Sequence, residues 1–175
     1  MISVKIPSGI KVSVDGGNCI TVKGSLGKNR RIFNTSLLNI SVNGNEVSIS
    51  PTEVKPLAKN GEKAAKALRK EIQNDIDGVT RYFEINMKSI HAHFPLTMEV
   101  KGGSFMLKNM IGERAARSAK IVGNTKVEIS GQNARIYGTS LDDVSQTAAN
   151  IRKASKIRKK DDRVFQDGVY YAIEE

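Results

Sequence analysis

A chain that echoes itself at nearly constant spacing must fold as two similar units, and this chain does so. Residues 42–50 read VNGNEVSIS and residues 122–130 read VGNTKVEIS, so Val42, Val47, Ile49 and Ser50 recur 80 positions later. Upstream, Val22-Lys23-Gly24 is matched by Val100-Lys101-Gly102 at 78, and downstream Asp77-Gly78-Val79 by Asp167-Gly168-Val169 at 90. The wider last spacing predicts an insertion in the second copy, falling on residues 152–163. With 175 residues there is enough chain for two small cores. The boundary is expected near residues 78–82, with 1–80 as the first repeat and 81–175 as the second.

Each repeat reads as short strands, one helix and a returning strand. Apolar alternation bounded by Gly, Asn or Asp predicts strands at 11–14, 20–23, 31–33, 38–42 and 47–49, with Gly44 supplying the positive φ of a hairpin turn. Between 58 and 77 the period changes. Ala65, Leu68, Ile72 and Ile76 form one helical stripe, with Lys63, Lys66, Arg69 and Lys70 outside it. Gly78 is expected to stop that helix and residues 79–90 to form a long strand. The second repeat predicts strands at 96–101, 104–108, 120–122, 126–129 and 134–137, then a helix capped by Ser140 and carrying Leu141, Val144, Ala148 and Ile151. A final strand is expected at 169–173. Antiparallel sheets with one helix packed on one face of each make the fold class α+β.

Charge is the guide to function. Lys and Arg number 28 against 18 Asp and Glu, a net +10 with a pI near 9.8, in the range of nucleic-acid-binding domains. The densest segment is 152–163, where Arg152, Lys153, Lys156, Arg158, Lys159, Lys160 and Arg163 face only Asp161 and Asp162. Such a run repels itself and points to a polyanion. Phe165 and Gln166 follow at once, an aromatic and an amide suited to a base or ribose beside the phosphates. Lys108, Asn109, Arg114, Arg117 and Lys120 form a second basic stretch, broken by Gly112, that reads as a loop laid along a nucleic-acid backbone.

Other motifs read more simply as structure. His91 and His93 share a strand face but lack the third ligand that zinc needs, so no metal or other cofactor is expected. Residues 22–27, VKGSLG, match neither a dinucleotide fingerprint nor a P-loop, and read as a turn. Ser140 near Asp142 and Asp143 has no oxyanion hole beside it, and an N-cap explains it, so no enzyme is expected. The lone Cys19 fits a buried small residue in a reducing cytosol. No apolar run is long enough to span a bilayer and no signal peptide is read at the start, so a cytoplasmic protein is expected.

The residues also resemble a known family. Ile6-Pro7, VKGSLG at 22–27, MKSIHAHFP at 87–95, NMIGER at 109–114 and Ile157-x-x-Lys160-x-x-Arg163-x-Phe165-x-Asp167-Gly168-Val169-Tyr170 together look like the sixth protein of the large ribosomal subunit, in its archaeal and eukaryotic branch, called L-nine in eukaryotes. Lys153 stands where members often carry glutamine, and Tyr171 replaces the usual aliphatic. The resemblance covers essentially the whole chain. It implies a duplicated α+β fold and no catalytic activity. It also implies binding to large-subunit rRNA, near the sarcin-ricin loop and the base of the factor-binding stalk, chiefly through the second domain. Neighbouring ribosomal proteins are implied partners, with translation factors nearby. A free-standing RNA-binding regulator or RNA chaperone of the same fold is the alternative.

Overall fold

The computed structural model describes residues 2–15, 18–51, 58–92, 94–158, 160, 161 and 163–172. His93, Lys159 and Ile173 therefore lie outside the described residues. The chain divides into two units, Met1–Tyr82 and Phe83–Glu175. Among the described residues no helix is long and apolar enough to cross a membrane.

The first unit contains β1 (Ile2–Lys5), β2 (Lys11–Asp15), β3 (Cys19–Gly24), β4 (Gly27–Ile32), β5 (Leu38–Asn43), β6 (Glu46–Pro51) and α1 (Ala58–Thr80). The strands form two antiparallel sheets, ordered β1-β6-β5 and β2-β3-β4. Ala65, Leu68, Ile72, Ile76 and Val79 of α1 join one core with Val4, Ile20, Val22, Val47 and Ile49. Ile72 and Ile76 are essentially fully buried, each contributing roughly 1.5 to 3 kcal/mol in transfer free energy. β3 departs from the expected alternation: Cys19, Ile20, Thr21 and Val22 are all buried, as in a strand covered on both faces.

The second unit contains β7 (Phe83–Ile90), β8 (Thr97–Lys101), β9 (Ser104–Lys108), a single 3₁₀ turn (Met110–Gly112), β10 (Arg117–Lys120), β11 (Lys126–Ser130), β12 (Asn133–Gly138), α2 (Leu141–Ser155) and β13 (Gly168–Tyr171). Its sheets are ordered β10-β9-β8 and β11-β12-β7-β13. The duplication is thus visible in topology: β1-β6-β5 corresponds to β7-β12-β11, and β2-β3-β4 to β8-β9-β10. β13 is the addition, lying against β7.

Five local expectations are corrected. The sequence echo at 80 positions pairs β6 with β11, whereas topology pairs β6 with β12, so the echo is one strand out of step. The equivalent hairpins place Gly44 and Gly131, both at φ 59, in the β5–β6 and β11–β12 turns. Short strands after Asn/Gly turns share an apolar alternation, which is why the wrong pair matched. The spacing of 90 likewise compares the last turn of α1 with the start of β13. Residues 152–163 are therefore not an insertion into a repeated segment; their outer part is the connection to the added strand. Gly78 does not stop α1, which continues to Thr80 because Val79 is fully buried and Arg81 N–H closes the last turn on Asp77 O at 2.8 Å. The strand expected from 79 accordingly starts at Phe83, and that expected at 120–122 lies earlier, at β10.

The VKGSLG segment is the β3–β4 turn, with Gly24 paired to Gly27. It also caps α1: Leu26 N–H and Ser25 Oγ donate to Val79 O at 3.1 and 3.4 Å. A Cβ on Gly24 would stand 2.6 Å from Val79 Cγ2 and 2.9 Å from Val79 O. Gly24→Ala is therefore expected to lower stability by about 1 to 3 kcal/mol, read from urea unfolding. The same helix is tied to β4 by charge, Arg31 donating to Asp75 at 2.9 and 3.2 Å while Asn29 donates at 3.3 Å.

Candidate nucleic-acid interface

The dense basic segment starts from a well-made helix. Ser140 caps α2 by accepting from Asp143 N–H at 3.3 Å, Asp142 and Asp143 sit in the first turn, and Arg152 and Lys153 sit in the last. Each charge suits its end of the helix dipole. Val144, Ala148 and Ile151 are fully buried, and Thr147 Oγ1 accepts from Val122 N–H at 3.0 Å while donating to Asp143 O at 2.7 Å.

Beyond α2 the chain forms a loop fixed at both ends. Lys156 adopts an extended conformation as the C-cap, and Ile157 turns inward, only 8% exposed. At the far end Asp167 is 3% exposed and accepts from Ala92 N–H at 2.8 Å, just before β13. Between these anchors Arg158, Lys160 and Arg163 are exposed. Asp161 organises the bend: Arg163 N–H donates to its Oδ1 at 3.0 Å, and the amides of Val164 and Phe165 donate to its carbonyl at 3.1 and 2.9 Å. The expected acidic neighbour is thus largely a turn-former. Its ionic contact with Arg163, at 3.6 Å between two exposed side chains, contributes little.

Aromatic rings give the loop a shape. Lys160 Nζ lies 4.6 Å from the centroid of Phe165, and Arg152 Cζ lies 4.4 Å from that of Tyr170, whose hydroxyl donates to Gln166 O at 3.0 Å. Gln166 itself donates to Arg163 O at 3.4 Å. A cleft of about 180 Å³ opens between the end of α2 and this loop, lined in part by Arg152, Lys156, Phe165 and Tyr170. Lys153 and Lys156 are exposed, and their side chains, like that of Arg158, have no ion-pair partner among the described residues.

The second basic stretch is more divided. Lys108 pairs with Glu99 at 2.7 Å, both half exposed. Asn109, left-handed at φ 58, donates from Nδ2 to Pro95 O at 3.0 Å. Met110 is buried, and Ile111 stands at φ 50, an uncommon conformation for a β-branched residue. Arg114 and Lys120 are exposed without an ion-pair partner among the described residues, although Lys120 O accepts from Asn150 at 3.0 Å.

Arg117 departs from the expectation of direct contact. Its Nε and Nη2 bind the two carboxylate oxygens of Glu113 at 2.7 and 2.5 Å, and its Nη1 donates to Ala154 O and Lys156 O at 3.0 Å each. The fork is occupied by protein, so Arg117 ties the strand edge to the exit of α2. Hydrogen bonding to Arg117 holds the Glu113 carboxyl below its usual range, and the same bond raises the guanidinium pKa. Sequence reasoning missed Glu113 and the ring of Tyr170 as parts of this surface. The opposite charges of Glu113 and Arg117 were the available signal for the first. Among the described residues no His, Cys, Asp or Glu cluster is arranged to hold a metal ion.

The family profile described as Ribosomal protein L6 matches residues 94–168, which contain both basic stretches. Large ribosomal subunit protein uL6 of Archaeoglobus fulgidus is 36% identical over 171 residues, covering 95% of this chain and 86% of its own. The protein of the same name from Methanobrevibacter smithii is 38% identical over 172 residues, covering 98% and 94%. That of Sulfurisphaera tokodaii is 37% identical over 169 residues, covering 95% and 88%.

Proposed function

Because the chain belongs to the ribosomal protein L6 family, we propose that it is a structural protein of the large ribosomal subunit that holds large-subunit rRNA with the loop between α2 and β13. Its task is positioning and not catalysis. One observation carries the assignment of the surface: Arg158, Lys160 and Arg163 project into solvent from a loop whose two ends are buried at Ile157 and Asp167. A basic segment anchored at both ends fits a partner that is itself folded and rigid.

In this reading Arg114, Arg158, Lys159, Lys160 and Arg163 contact phosphate, with Phe165 and Gln166 closing the turn beneath them. Arg152, Lys153 and Lys156 continue the positive surface along the helix end, and Lys108, Asn109 and Lys120 flank it. A-form RNA hides its base edges in a deep major groove, so recognition runs through phosphate, ribose hydroxyl and shape. The family resemblance supports a finer location, near the sarcin-ricin loop and the base of the factor-binding stalk, among neighbouring ribosomal proteins and close to docked translation factors.

Sedimentation of cell extract through a sucrose gradient tests the role. The chain should travel with large subunits. Recovery only in the top fractions would instead favour a free-standing RNA-binding regulator.

A further inference from the structure

We infer that the outer face of α1 is a second RNA-contact surface, separate from the loop after α2, in which Lys63, Lys66 and Lys70 lie against the phosphate backbone of folded RNA. The inference rests on the preceding reading that RNA is the partner. At about 100° per residue, Lys63, Ala67 and Lys70 lie opposite the buried stripe of Ala65, Leu68, Ile72 and Ile76, with Lys66 beside them. Lys63, Lys66, Arg69 and Lys70 are all exposed, and none has an ion-pair partner among the described residues. Of the acids on this helix, Glu71 and Asp75 bind Arg31, while exposed Glu62 and Asp77, the latter accepting from Gln73, reduce but do not cancel the charge of the four bases.

This order of charge opposes helix stability. α1 has no acid in its first turn and no base in its last, where Asp77 sits instead. α2, in the same chain, has acids first and bases last. Lys63 with Lys66, and Lys66 with Lys70, also place like charges three and four residues apart. A local rule broken in one helix and obeyed in the other is expected where a surface is retained for binding.

The chemistry of the face selects its partner. Lysines from 63 to 70 span about 10 Å along the axis, enough to meet more than one phosphate of a backbone. Lysine acts there as a point charge that does not read bases. Ala67 keeps the ridge low between Lys63 and Lys70, so a backbone can come close. Among the described residues the exposed part of α1 offers no large apolar anchor, and the exposed large apolar residues of this unit, Ile32 and Tyr82, lie outside it. A protein interface needs such anchors.

Lysine acetylation of the full chain, followed by mass spectrometry with and without purified large-subunit rRNA, tests this. Lys63, Lys66 and Lys70 should react more slowly with RNA present. K63Q/K66Q/K70Q should make the salt dependence of rRNA binding shallower by about 2 to 3 log units per log unit of salt, while unfolding at the same or a higher temperature. Unchanged reactivity on α1 together with protection of Lys153, Lys156 and Lys160 would overturn the second surface and leave the first standing. Protection of α1 by intact large subunits but not by rRNA would overturn it in favour of a protein partner. Reactivity unchanged at every lysine, with no binding, would remove the first reading as well.

Discussion

Changing Arg158, Lys160 and Arg163 together to alanine is expected to weaken rRNA binding about 100-fold at 0.1 M salt, taking roughly 1 kcal/mol for each exposed ionic contact. The slope of log affinity against log salt should become shallower by about 0.7 to 0.9 for each phosphate contact removed. Stability should hardly change, because all three side chains are exposed: among the described residues only Arg163 has an ion pair, and the contact of Lys160 with the Phe165 ring is also at the surface. Filter binding across a salt series, beside urea unfolding of the same variant, reads both quantities. An unchanged slope would dismiss the loop as the contact surface.

Arg117→Ala is expected to fail differently. Two carbonyls at the exit of α2 lose a charged donor and Glu113 loses its partner, which costs about 2 to 4 kcal/mol after allowance for partial exposure. Affinity for rRNA should fall because the loop is no longer held, yet the salt slope should stay as in the parent chain, since no phosphate contact is lost. Arg117→Lys keeps the charge but not the fork, and should recover less than the full stability. The pH dependence follows from Glu113. Its folded pKa is depressed, so its contribution is complete above the ordinary carboxylate pKa and is lost as pH falls through the folded value. The parent chain should therefore lose this increment in acid, and Arg117→Ala should lack that acid-dependent loss. An NMR titration should find Glu113 back in the ordinary carboxylate range in the variant. A shallower salt slope in Arg117→Ala would contradict the positioning role and restore direct contact.

The features legible in the sequence are those set by local chemistry. The stripe of Ala65, Leu68, Ile72 and Ile76 marks α1, Ser140 marks the start of α2, and Gly44 marks a hairpin, because each follows from helical period, capping or positive φ. The pairing of the two repeats was not legible at residue level. Many strands with the pattern of residues 47–50 satisfy the same alternation, and only the ladder that joins β7 to β12 and β13 separates them. The end of α1 was hidden for a related reason: burial of Val79 against Gly24 outweighs the local tendency of Gly78 to end a helix. At the interface, counting charges found the loop after α2 but did not distinguish Arg158, which faces water, from Arg117, whose partners Ala154 and Lys156 lie far along the chain.

The most direct measurement is an electron-microscopy map of the large ribosomal subunit containing this chain. Arg158, Lys160 and Arg163 should lie within hydrogen-bonding distance of RNA phosphates, with Arg117 still bound to Glu113. A map showing that loop turned towards solvent, with no nucleotide near it, would contradict the mechanism even though the family assignment would stand.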